Sequence, residues 1–257
     1  MKRAVFIVMT VYLAFVASVV QAKVIRIGVD PTYPPFEYLK ANGKLAGFDI
    51  DIGNALCAQI HVKCQWVQNS FDSIIPALKA RKFDAIISSL SITKTREKQI
   101  SFSDKIFNTP VHLIAPRGSA LRPNAQSLEG KRVGVLQGSV FERYARKYWQ
   151  PKGVQMITYG SSEAIFADLV NGRLDAALDD TIVAERSFLT KPQGENFQLV
   201  GKRVYDEVIF GPGTGIGFRK SNIQLRQRFN QAITAILHNG IYQKIAHRYF
   251  DFNVYGS

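Results

Sequence analysis

Apolar and polar positions along this chain follow two alternating periods. KVIRIGVD (23–30) is rich in β-branched residues and ends at Asp30, the pattern of a strand. NGKLAGFDIDIGNALCAQI (42–60) opens with turn residues, then moves into an amphipathic helix with Ile50, Ile52, Ala55, Leu56 and Ile60. SFDSIIPALKARKFDAIISS (70–89) reads as helix, turn and strand. Strands alternating with helices imply a mostly parallel sheet with helices packed on it, an α/β fold. Towards the end, Leu225, Phe229, Ala232, Ile233 and Ile236 recur at helical spacing. Gly240 breaks that helix, and a second short one with Ile241, Ile245 and Tyr249 follows. The glycine-rich FGPGTGIGF (210–218) lacks the Lys-Ser/Thr of a phosphate loop and the spacing of a dinucleotide fingerprint. It is read as a turn leading into a returning strand.

Part of this pattern occurs twice. ALKARKFDAIISS (77–89) aligns with DLVNGRLDAALDD (168–180), and RIGVD (26–30) with RVGVL (132–136). The chain therefore contains two similarly built lobes, each with an early strand and a later strand that starts at Asp-Ala. Ligands of open α/β sheets sit outside the carboxyl ends of the strands. Asp30, Ser88-Ser89, Leu136-Gln137-Gly138-Ser139 and Asp180 all follow strand ends. Lobes that face each other would bring these four segments to one cleft.

Charge and composition narrow the function. Lys2 and Arg3, the apolar run Ala4 to Val20 and the small residues of Val20-Gln21-Ala22 predict a secretory signal peptide, 1–22, cleaved after Ala22. No second apolar run follows, and no cysteine stands at the cleavage point to take a lipid, so an exported, periplasmic protein of 235 residues is expected. The net charge of +13, or +11 without Lys2 and Arg3, is carried by dispersed basic residues with acids among them. That dispersal argues against a nucleic-acid binder. Cys57 and Cys64 are the two cysteines. In an exported chain such a pair reads as a structural disulfide, worth about 2.5 kcal/mol for so short a loop. Two cysteines and His61 are too few ligands for a metal site. No nucleophile elbow is present, and the four histidines are scattered, so neither an enzyme nor a cofactor is expected. A lyase on this kind of cleft stays open, because a single well-placed acid could suffice.

The residues at the strand ends suit a zwitterion with a cationic tail. Arg96 offers a forked donor to a carboxylate, in the first turn of a helix predicted to begin near Thr93, whose dipole also favours an anion. Ser89, Ser91 and Asp180 suit an ammonium group. Asp30 is available for the far cation, and Tyr33 and Phe71 could flank the methylenes between. Each has a plainer reading: Asp30 as a turn former, Phe71 as core, the serines as a loop, Arg96 as a partner of Glu97.

RIGVDPTYPPFEY, GFDIDIGNALC, FDSIIPALKARKFDAIISSLSITKTR, GKRVGVLQGS, GRLDAALDD and YFDFNVYG together resemble the periplasmic lysine/arginine/ornithine-binding and histidine-binding proteins. These are family 3 solute-binding receptors of amino-acid ABC importers. The resemblance runs from about Lys23 to the end. It implies a type II periplasmic binding protein fold: two α/β lobes, with mixed or parallel sheets flanked by helices, joined by two hinge strands and closing on the ligand. Lobe 1 would be 23–108 with 210–257, lobe 2 the inserted 112–204, and the hinges near 107–111 and 205–211. By resemblance Arg96 would hold the α-carboxylate, helped by the loop at Ser139. Asp180, Ser89 and Ser91 would hold the α-ammonium. Asp30 and Ser88 would meet the side-chain cation, and Tyr33 and Phe71 would flank the methylenes. Cys57 and Cys64 match the family disulfide. After Gly138-Ser139 the family continues Thr-Gln, whereas this chain has Val140-Phe141. Val140 keeps a backbone N–H but no hydroxyl, and Phe141 puts a ring near the ligand tail. A flat guanidinium stacks on a ring, so arginine is the first expectation among basic amino acids. The partners implied are that ligand and an inner-membrane permease. A dehydratase on the same fold, and a sensor or adhesion role, are the alternatives.

Overall fold

The computed structural model describes residues 24–256; the expected signal peptide and its cleavage point lie outside them. Two five-stranded sheets form the scaffold. The first runs Lys63–Gln68, Val24–Val29, Ala85–Ile86, Thr214–Phe218, Ser101–Phe107, and the second Gln155–Tyr159, Arg132–Leu136, Ala176–Asp180, Val111–Pro116, Phe197–Val204. In each, the first three strands are parallel and the last two bring in antiparallel pairing. A small antiparallel sheet of Thr32–Tyr33, Glu37–Leu39 and Leu45–Ala46 lies beside the first.

The sequence repeat is also a structural one, down to its ion pairs. Val24–Val29 and Arg132–Leu136 hold the same second place in their sheets, and the two Asp-Ala strands hold the third. Arg26 grips Asp84 through Nε and Nη2 at 3.3 and 3.2 Å, and Arg132 grips Asp175 the same way at 3.1 and 3.1 Å. The glycines of the two strands match as well. A Cβ on Gly28 would come within 2.4 Å of the Phe83 ring, and one on Gly134 within 2.5 Å of Leu174 Cδ1. Each strand thus admits the large residue that precedes its Asp-Ala, and only glycine allows that approach.

The helices form where the pattern placed them, except that the last one ends at Ala246 and leaves Tyr249 in the turn beyond it. Phe48–Gln59 packs on the first sheet, with Phe48, Ile52 and Leu56 fully buried, and Cys57 on it bridges to Cys64 on the neighbouring strand. Ile223–His238 buries Phe229, Ala232, Ile233 and Ile236. Gly240 starts the last helix, Ile241–Ala246, in which Tyr242 and Ile245 are buried while Ile241 faces solvent.

The chain passes between the sheets twice, through 108–110 and through 205–213. The strand after the second crossing pairs with Ala85–Ile86, more than a hundred residues earlier. The facing ends of the two lobes touch in several places. Tyr33 donates to Asp179 at 2.9 Å, Arg96 to the Gly138 carbonyl at 3.1 Å, and Arg143 to the Thr95 hydroxyl.

Candidate functional site

The strand ends of both lobes meet around one cavity with about 370 Å³ of space unfilled by protein atoms, counted out to its mouth. Asp30, Tyr33, Phe71, Ser88, Ser89, Ser91, Arg96, Ser139, Val140 and Phe141 all line it, together with Thr32, Glu37 and Leu136. Asp180 does not. It lines an adjoining space of about 420 Å³ on the hinge side, which shares Tyr33, Ser89, Ser91, Val140 and Phe141 with the first. The sequence-derived set therefore comes together around two connected compartments.

Arg96 stands at one end, on the one-turn helix Lys94–Glu97, whose N-cap Thr93 accepts the Arg96 N–H at 3.2 Å. A four-residue helix has too little aligned dipole to add much to anion binding, so the guanidinium itself must carry that role. Its Nη1 donates to the Ser91 carbonyl at 3.0 Å and its Nη2 to Gly138, and it lies 5.5 Å from the centre of the Phe71 ring. Glu97 pairs instead with Lys94 at 3.1 Å, and among the described residues no carboxylate forms a salt bridge with Arg96. Burial, with Arg143 nearby, lowers its pKa to about 10, which still leaves it charged at neutral pH. Opposite it begins the helix Val140–Tyr148, capped by Ser139, whose hydroxyl accepts from the Glu142 N–H at 3.1 Å. The first N–H groups of this helix are donors without intrahelical partners, suited to an anion.

The lining also holds buried acids. Asp30 is buried and accepts from the Thr32 hydroxyl at 2.8 Å and the Phe71 N–H at 2.7 Å. Burial raises its pKa against those bonds. Glu37, which lies within RIGVDPTYPPFEY but is not singled out by the sequence reading, is 1% exposed and stands directly across the hairpin from Tyr33. It accepts from the Ser88 hydroxyl at 3.3 Å and the Ser89 hydroxyl at 3.0 Å. Behind it lies Asp49, fully buried, which accepts the Ser89 N–H at 2.7 Å. Burial, then repulsion from Asp49, holds the Glu37 carboxyl well above its ordinary range. The signal that would have found Glu37 is the short hairpin itself, because residues paired across two strands point to the same face.

Asp180 is partly committed. Its Oδ1 caps the helix Thr181–Ala184 through the N–H groups of Ile182 and Val183, and its Oδ2 accepts from the Thr109 hydroxyl. A carboxylate has about four acceptor sites, so one remains. Its neighbour Asp179 accepts from Tyr33, from Ser162 at 2.6 Å and from the Asp180 N–H, which ties one lobe to the other. Burial raises Asp179 to about 6 and Asp180 to about 7.

Chemically, the two spaces offer an unpaired fork donor at one end, carboxylates and hydroxyls elsewhere, and rings from Tyr33, Phe71 and Phe141 between them. Comparison with known proteins shows what the whole chain is similar to. Residues 25–252 match the family described as bacterial extracellular solute-binding proteins, family 3. The chain is 50% identical over 232 residues to the lysine/arginine/ornithine-binding periplasmic protein of Escherichia coli, covering 90% of this chain and 89% of that one. It is 45% identical over 235 residues to an L-arginine-binding protein of Pseudomonas aeruginosa, covering 91% of each. A solved periplasmic binding protein of Salmonella typhimurium, described for its high arginine specificity, superposes with a TM-score of 0.82 at 31% identity, covering 89% of this chain and 100% of that one.

Proposed function

The chain belongs to the bacterial extracellular solute-binding proteins, family 3, and from that premise we propose that it captures a cationic L-amino acid, arginine first, and delivers it to an ABC importer. The observation that carries this reading is the charge of the cavity lining: a guanidinium with no carboxylate partner, the buried acids Asp30 and Glu37, and Phe71, whose N–H meets Asp30 while its ring meets Arg96. In this reading Arg96, with the helix start at Ser139 and Val140, takes the α-carboxylate as a bidentate partner. Ser89, Ser91 and the remaining acceptor of Asp180 take the α-ammonium. Asp30 and Ser88 take the tail, and Tyr33, Phe71 and Phe141 pack along it. Arginine leads because a planar guanidinium can lie against the Phe141 ring as well as pair with Asp30. Lysine, ornithine and histidine follow.

The moving bodies would be 23–108 with 210–257 and the inserted 112–204, turning about 107–111 and 205–211. Cleavage after Ala22 would release the mature receptor into the periplasm, where its closed form is the one the permease engages. A dehydratase on the same fold is the weaker alternative, since the relatives named above are described as binding proteins.

A thermal-shift screen of residues 23–257 against the twenty amino acids and ornithine, followed by calorimetric titration, tests the proposal. Bound ligand raises apparent stability by mass action, so arginine should give the largest shift. Lysine or histidine ranking far above arginine would remove the arginine assignment. No shift with any basic amino acid would remove the receptor reading, and turnover of a small carboxylate would favour the enzyme.

A further inference from the structure

The serines of the cavity wall are not free to choose their roles. A hydroxyl has one hydrogen and two lone pairs. Ser88 spends its hydrogen on Glu37 Oε1 at 3.3 Å, because at its other side it must accept the Asp30 N–H at 2.9 Å. Ser89 spends its hydrogen on Glu37 Oε2 at 3.0 Å. Asp49, whose Oδ1 has no hydrogen-bond partner among the described residues, adds its repulsion to the burial of Glu37. Glu37 thus receives a hydrogen from each serine, one on each carboxyl oxygen. Ser88 and Ser89 both line the cavity.

We propose that Glu37 is a positioning residue that holds both serine hydrogens away from the cavity, so that Ser88 and Ser89 meet the ligand as acceptors only. This rests on the reading of the chain as a receptor for a basic amino acid and adds a determinant of its selectivity. Ser88, Ser89 and Asp30 then present oxygen lone pairs and no donor hydrogen to the ligand tail. A guanidinium or ammonium, hydrogens on every nitrogen, satisfies such a wall. An isosteric tail carrying a carbonyl, as in citrulline, sets one of its acceptors against another acceptor and leaves it unpaired, which binding sites reject strongly.

The test is the ratio of arginine to citrulline affinity, measured by calorimetric titration on the mature chain. Glu37→Met removes the acceptor and frees both hydroxyls to turn, so the ratio should fall about tenfold as Ser88 becomes able to donate to the ureido oxygen. Ser88→Ala removes one lone pair from the wall and should weaken arginine several-fold while leaving citrulline within about twofold. A residue with a merely structural role would weaken both ligands together. An unchanged ratio in Glu37→Met, or a Ser88→Ala variant that loses citrulline more than arginine, would overturn the proposal. Where thermal unfolding shows that Glu37→Met does not fold, Ser88→Ala decides alone by the sign of its effect. Wild-type protein that binds neither arginine nor lysine would instead refute the receptor reading itself.

Discussion

Asp30 does two things with one carboxylate. It ties the Phe71 N–H and the Thr32 hydroxyl into the wall, and it still borders the cavity with its charge. Asparagine would keep one acceptor but set an amide donor against a neighbouring donor, and it would remove the charge. Hydrogen bonds to charged groups contribute about 1.5–3 kcal/mol, so Asp30→Asn should weaken arginine by roughly tenfold to a hundredfold. Glutamine should change by less than about threefold, and titration of both ligands checks this. Equal losses would sink the role of Asp30 in tail recognition. At this scale much of the lining was legible, because carboxylates and hydroxyls at strand ends in an α/β chain point to a ligand. Glu37 was not. No period or strand-end position marks it, and its inward direction follows only from the pairing with Tyr33. Nor was the commitment of Asp180 to the helix beginning at Thr181 visible, since capping depends on where that helix starts.

Among the elements, the turn before the helix Val140–Tyr148 joins the two lobes. Gly138 has φ of 74°, its N–H is held by Glu142 Oε2 at 2.7 Å, and its carbonyl receives Arg96 from the other lobe. A Cβ there would stand 2.8 Å from the Cα of Asp72, also in the other lobe. Backbone cannot yield to that contact as a flexible side chain would, so the lobes would have to separate. Gly138→Ala should cost the ligand-free chain about 1 kcal/mol for the left-handed conformation. It should also weaken arginine by at least about tenfold, because the closed form bears the clash. Denaturant unfolding and titration on the same variant separate the two effects; an unaltered affinity would mean that closure does not need this contact. The strands and helices themselves were readable from period and repeat. The order of the sheets was only half readable. Arg26 with Asp84 and Arg132 with Asp175 follow from matching local units, whereas the pairing of Thr214–Phe218 with Ala85–Ile86 leaves no periodic trace in the chain.

Over the whole molecule, closure gathers acids around very little positive charge. Asp30, Glu37, Asp49, Asp179 and Asp180 are all buried, and Arg96 is the one buried cation among the described residues. Burial raises all five carboxyls, Asp179 to about 6 and Asp180 to about 7. A raised acid keeps its proton in the native state over a range where the unfolded chain has lost it. The native state therefore binds more protons between about pH 4 and 7, and stability must fall as pH rises through that range. A tenfold difference in proton affinity between the folded and unfolded chain, at a single carboxyl, is worth about 1.4 kcal/mol. The ligand-free protein should therefore be less stable at pH 8 than at pH 5 by at least that amount. A cationic ligand supplies the missing counter-charge, and it does so most where the acids are ionised. Arginine should bind more tightly at pH 8 than at pH 5 and release protons as it binds near pH 6, while the liganded protein loses less stability over the same interval. Urea midpoints at pH 5 and pH 8, with and without arginine, measure the stabilities, and calorimetric titration in buffers of different ionisation heat measures the protons. A ligand-free protein that gains stability towards pH 8 would show that these carboxyls are ionised in the folded chain without any partner, and that the acidity of the cleft is not what draws the cation in.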